Sequence, residues 1–215
     1  MNVKKFLLIC GLLAPFIYIS SDIFSSILWK DYSYIGQSVS ELRAVEAPTR
    51  SLLLIFLYVY AILEISFGFG ILKSSNHRRP LFITGILIIC LGIVDLIAPF
   101  FPMHLRENIQ ITGRTFTDTM HLIFTTLTVI LLLLIIGFGS STKTKWFRIY
   151  SYLTIFILVV GGFWASLDAP LIEANLPTPW LGLKERLNIY GYMVWVAIFA
   201  YVLLLYDRKI KIISR

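Results

Sequence analysis

Six long apolar runs divide this chain of 215 residues. They fall at about residues 6–28, 51–72, 80–100, 115–139, 146–166 and 186–206. A helix needs ~20 mostly apolar residues to cross the hydrocarbon of a membrane, and each run has that length. Inside lipid only helices and closed barrels satisfy every backbone polar group. Barrel strands would be ~10 residues long and alternating, whereas these runs are longer and continuous. The sequence therefore predicts an all-α integral membrane protein, a six-transmembrane-helix bundle forming one domain over residues 1–215. Composition agrees, with 58% of residues hydrophobic and 14% charged, against about a quarter charged in a soluble domain.

Lysine and arginine set the expected orientation. With the N-terminus inside, the inner segments hold Lys4, Lys5, Lys73, Arg78, Arg79, Lys143, Lys145, Arg148, Arg208, Lys209, Lys211 and Arg215. The outer segments hold Lys30, Arg43, Arg50, Arg106, Arg114, Lys184 and Arg186. Twelve against seven predicts both termini in the cytoplasm of a prokaryote, the chain lying in the inner membrane. The net charge of +7 is thereby spent on topology, and nucleic acid is excluded as a partner; membrane lipids are the expected one. Lys4 and Lys5 ahead of an apolar stretch resemble a signal peptide. No A-x-A-like cleavage site follows, so the segment reads as a retained anchor. Cys10 and Cys90 fall within spans and read as free thiols.

The outer loops are longer than the inner ones, mixed in charge, and rich in Pro, Gly and aromatics. Loops of that length are often functional. Ionisable groups cluster near the same end of the spans. From the helical rise, Asp22 lies roughly 9 Å deep in span 1, Asp95 roughly 8 Å in span 3, Asp118 roughly 5 Å and His121 roughly 9 Å in span 4. Embedded ionisable side chains are costly and point to function. Asp118 and His121, three residues apart, share a helix face. Ser38, Ser40, Glu41, His104, Asp168, Glu173, Glu185 and Arg186 surround that layer. His104, in a loop, reads as solvated. Glu64 stands apart, deeper in span 2.

Three readings follow. The first is an outward pocket between spans 1, 3, 4 and 6 that holds a lipid head group or small amphiphile. Asp22, Asp95, Arg114, Glu185 and Arg186 would bind it, and Trp164, Trp180 and Tyr190 would flank it. The second is a hydrolase of lipid esters or amides at the outer leaflet. Zinc would sit on Asp118, His121 and Asp95, with Ser38 or Ser40 helping to stabilise an oxyanion and a remaining carboxylate as general base; Ser40, Glu41, Asp118 and His121 are the catalytic candidates. The third is a proton- or cation-coupled transporter using Glu64. Oligomeric state has no signature in the sequence.

Three boxes and one histidine carry a family resemblance. They are Ser40-Glu41-Leu42 followed by Ala47-Pro48, Phe101-Pro102-Met103-His104, and Gly182-Leu183-Lys184-Glu185-Arg186, with His121 at the entry to span 4. In this order the chain resembles the bacterial and archaeal membrane family called domain-of-unknown-function 998. The resemblance implies six spans with shared polar residues on the outer side, and no established reaction. The family places a polar residue, often aspartate, after Phe-Pro, where this chain has Met103 and then His104.

Overall fold

The structure is a computed structural model that describes residues 2–141 and 144–213, with side chains as far as Leu205. Its elements are α1 (Val3–Leu28), a 3-10 turn (Val39–Arg43), α2 (Arg50–Leu72), α3 (Arg79–Ile97) continued by a 3-10 turn (Ala98–Phe100), α4 (Arg106–Thr112), α5 (Phe116–Gly139), α6 (Lys145–Ser166), α7 (Ala169–Glu173) and α8 (Leu181–Ile213). Six helices are long and apolar enough to cross a membrane. Local chemistry explains their ends. Asn2 caps α1 by accepting from the Lys4 N–H. Pro80 sits in the first turn of α3, where its missing N–H costs nothing. Thr115 and Asp118 form a reciprocal capping box that opens α5.

The spans agree with the sequence reading to within a few residues, except the last. It starts at Leu181, five residues before the expected Arg186. The expected loop ran to Glu185, yet Lys184, Glu185 and Arg186 all find partners and the helix runs through them.

The spans form a ring in the order α1, α2, α3, α5, α6, α8, closing on α1. An even number of crossings puts both ends of the bundle on one face, with the short connections 73–78 and 140–144. The opposite face carries a cap built from segments 29–49, 98–115 and 167–180, including α4 and α7. The expected orientation leans partly on Lys143, Arg208, Lys209, Lys211 and Arg215, whose side chains lie outside the described residues. Around the ring the outward side chains are apolar, Phe16 and Phe163 each being 67% exposed. A surface of that kind belongs in lipid. Close backbone approach seals α2 to α3: a Cβ at Gly68 would come within 2.6 Å of the Ile89 side chain and 2.9 Å of the Gly85 carbonyl.

The interior changes character along the axis. Away from the cap, Phe67, Phe147, Trp195 and Phe199 pack together, with Trp195 and Phe199 ring centres 4.9 Å apart and Phe147 and Phe199 5.7 Å apart. The Trp195 indole N–H donates to Ser151 Oγ at 2.9 Å, so the stack leaves no donor stranded. Toward the cap, the ring fills instead with tyrosines, carboxylates and cations.

Candidate functional site beneath the cap

Buried ion pairs hold the cap together and fix it to the bundle, Lys184 of α8 reaching Asp168 of the cap at 2.7 Å. Arg186 of α8, 2% exposed, meets Asp22 of α1 through Nε (2.8 Å) and Nη2 (2.9 Å). Its remaining donors reach the carbonyls of Tyr34 and Gly182 and the hydroxyls of Ser26 and Tyr32. Tyr190 donates to Asp22 from the other side. Glu41, fully buried, takes Arg106 of α4 in a fork at 2.8 Å on both oxygens. Arg106 continues to Thr178 Oγ1 at 3.0 Å, and Thr178 donates to the Gly36 carbonyl. One fork thereby ties all three cap segments. Burial opposes the charge of Arg106, but the Glu41 carboxylate outweighs it and holds the guanidinium more firmly protonated than usual. Gly182 permits the same closure, because a Cβ there would lie 2.4 Å from the carbonyls of Tyr34 and Gln37.

Ser40 sits on the 3-10 turn, which is fixed from several directions. Ser38 and Glu41 cap each other across its start. The Val39 N–H donates to Glu185 Oε2 at 2.7 Å. Held there, Ser40 Oγ faces Nε2 of His121 at 3.2 Å. His121, on α5, also hydrogen-bonds the Phe101 backbone. Asp118, one turn earlier, serves the cap. It accepts from the Thr115 N–H (2.8 Å) and hydroxyl (2.7 Å) and from the His104 N–H (2.7 Å). The His104 ring stands beside the same carboxylate at 3.2 Å, so this histidine is a half-buried partner of Asp118 rather than a solvated loop residue. That anchoring positions the 101–105 segment against His121.

Deeper in the ring, Glu64 of α2 is 2% exposed and accepts from Tyr60 (3.0 Å) and Tyr192 (3.3 Å) through Oε1. Its other oxygen has no hydrogen-bond donor among the described residues, and its side-chain neighbour there is the carboxyl of Asp95. Two facing carboxylates offer only acceptors, so a hydrogen bond between them needs a proton on one. Sequence depth had separated this pair. Helical side chains lean toward their own N-terminus. α2 starts at the cap and α3 at the far face, so Glu64 leans up and Asp95 leans down until they meet.

Arg43, the last residue of the 3-10 turn, is half-buried. Its guanidinium makes no hydrogen bond or ion pair among the described residues. It lies within electrostatic reach of Tyr18 on α1, Asp95 on α3, His121 on α5 and Glu185 on α8. A cation felt from four helices stands near the axis of the ring. The cap's other buried or half-buried cations, Arg50, Arg106, Lys184 and Arg186, are all bonded within the protein.

The expected shallow layer of Asp22, Asp95, Asp118 and His121 is thus divided, each residue having partners of its own. Asp22 goes to Arg186, Asp95 to Glu64, Asp118 to Thr115 and His104, and His121 to Ser40. Helical depth was sound, but depth does not determine where a side chain points. Among the described residues no three His, Cys, Asp or Glu side chains are gathered to hold a metal ion. The proposed zinc set of Asp95, Asp118 and His121 therefore does not assemble, and no step through zinc is derived. Glu41 accepts from Arg106 through both carboxylate oxygens. Arg186 is consumed by Asp22, and Arg114 pairs with Glu173 on the surface, so neither is free for a ligand. Trp164, Trp180 and Tyr190 line a groove of about 610 Å³ between α6 and α8.

The model of the family described as "Protein of unknown function (DUF998)" matches residues 12–202. The chain belongs to that family. No curated protein and no solved structure matches it. In this DUF998 protein the quoted boxes have physical roles. The first supplies Ser40 and the Glu41 clasp, the second the Phe101–His104 wall behind His121, and the third Gly182, Glu185 and Arg186, which join α8 to the cap. Sequence reasoning left out of the candidate ligand set both Arg43 and Tyr192, an ordinary aromatic in an apolar span. Arg43 does follow the first box directly, three residues after Ser40, and that spacing was the available signal.

Proposed function

We propose that this multi-pass membrane protein binds the polar end of a small amphiphile or lipid head group in the cluster around Arg43. The observation that supports this is the unbonded guanidinium. A half-buried arginine beside four helices has lost part of its water and gained no hydrogen bond among the described residues, and such donors are completed by a carboxylate or phosphate from outside. The neighbours are half-buried side chains of both kinds, Asp95 and Glu185 beside Tyr18 and Ser40, which suits a head group with donors as well as an anion. This reading moves the anion contact from Arg114 and Arg186 to Arg43. Native mass spectrometry of protein released gently from membranes tests it. Wild type and Arg114→Gln retain an anionic or zwitterionic amphiphile, and Arg43→Gln loses it. Equal retention in Arg43→Gln would defeat the reading.

A second reading, proton-coupled transport, is favoured by the Glu64–Asp95 pair, which stores a proton at mid-depth. In proteoliposomes with a pH gradient it predicts amphiphile uptake that Glu64→Gln abolishes while binding at Arg43 persists.

A further inference from the structure

Most serines on these helices spend their hydroxyl locally. Ser21, Ser26, Ser66, Ser74 and Ser151 each donate to a backbone carbonyl three or four residues back. Ser40 instead reaches an imidazole 81 residues away in sequence. From the Ser40–His121 contact, the fixed turn beneath it and Arg43 beside it, we propose that Ser40 is a nucleophile and His121 its base, in hydrolysis of an acyl ester or amide. The inference rests on the binding reading above only for the nature of the substrate, an amphiphile.

The geometry supplies each part that this chemistry needs. With the ring proton on Nδ1, His121 presents the Nε2 lone pair to Ser40 Oγ at 3.2 Å. That distance is within the looser range of a nucleophile–base pair awaiting substrate. His121 is buried and Ser40 half-buried, so the nucleophile is reachable and the base shielded. A 3-10 helix has about three residues per turn, so Ser40 and Arg43 lie on one face. The guanidinium thereby stands near the place where a carbonyl oxygen would gain negative charge. Asp118 and Glu41 are positioning residues: one fixes the wall behind His121, the other the turn under Ser40.

The reaction balances without a metal. Ser40 Oγ bonds to the acyl carbon as its proton passes to His121 Nε2. The imidazolium then gives that proton to the departing alcohol or amine as the C–O or C–N bond breaks. Water attacks the acyl-serine, His121 takes its proton, and the proton returns to Ser40 Oγ as the carboxylic acid leaves.

The test is labelling of the detergent-purified full chain with a fluorophosphonate, mapped by peptide mass spectrometry. Wild type takes about one label per chain, on Ser40. Ser40→Ala takes none there, and His121→Gln slows labelling by about 10²-fold or more, the usual share of a general base. A wild-type protein that keeps its amphiphile but takes no label overturns the serine proposal and leaves the binding reading standing. Labelling at unchanged rate in His121→Gln also overturns it. Should Ser40→Ala fold poorly, Ser40→Cys supplies an independent readout: alkylation at position 40 by iodoacetamide against pH. Pairing with His121 brings thiolate reactivity to a lower pH than an ordinary cysteine, and adding His121→Gln restores the ordinary profile. Identical profiles in both backgrounds overturn the proposal.

Discussion

The two halves of this bundle solve the same problem differently. Away from the cap, Phe67, Phe147, Trp195 and Phe199 fill the ring and need no partner beyond one indole–serine bond. Under the cap the ring holds Asp22, Arg186, Glu41 and Arg106, each buried and each bonded to its counter-charge. Arg43 and the facing carboxyls Glu64 and Asp95 lie in that same half and are not settled this way. A membrane interior tolerates charge where the protein completes it. Groups that are held in place yet incomplete are the basis of the binding proposal. The comparison separates scaffold from site among residues that look alike in sequence.

The largest expected effect comes from breaking a settled pair. Asp22→Ala strands Arg186 in the interior and costs about 3–5 kcal/mol, as loss of one buried partner does. Thermal unfolding in detergent should show a lowered midpoint, together with poor yield of folded protein. In the dry half, Phe199→Leu removes ring contacts with Trp195, Phe147 and Phe67 and costs about 1–3 kcal/mol in the same assay, with amphiphile retention unchanged.

The site residues should behave in the opposite sense. Glu64→Gln still accepts from Tyr60 and Tyr192 and offers Asp95 an amide donor, so stability holds or rises by about 1 kcal/mol. A lowered midpoint would show that the carboxyl pair is scaffold after all. Arg43→Gln should stay within about ±0.5 kcal/mol of wild type while abolishing retention, because the side chain has no bond to lose.

The smallest effect lies on the cap's surface. Burial slightly opposes the charge of Glu46, but the Leu105 N–H, Asn108 and other donors prevail and hold its carboxyl below the usual carboxylate range. A group depressed on folding adds stability above its unfolded value, and that stability is lost as pH falls through its lower folded value. Acidification should therefore narrow the gap in unfolding midpoint between wild type and Glu46→Gln. The gap should be present at neutral pH and gone once Glu46 is protonated.

Much of the frame was legible. The Pro80 start, the Gly139 end and five of the six spans follow from hydropathy and local capping. The final span starts five residues earlier than expected, because residues 181–185 looked like the end of a loop until the partners of Lys184 and Glu185 were known. Of the site, Ser40 and His121 were legible as candidates, but their bond was not, since 81 residues separate them. The partners of Asp118 and Glu41 were not legible, because a carboxylate's sequence position does not say which donors will reach it.

By itself the sequence determined that six helices cross a membrane and that their polar residues gather toward one end. Lipid enforces that outcome, because it penalises every unsatisfied backbone group and every stray charge, whatever the packing. Only the tertiary structure decided which charges cancel, which carboxyls face each other, and which arginine is left without a hydrogen-bonding partner among the described residues. Those outcomes depend on how each helix is rotated about its axis and on the direction in which its side chains lean, and helix-to-helix packing fixes both.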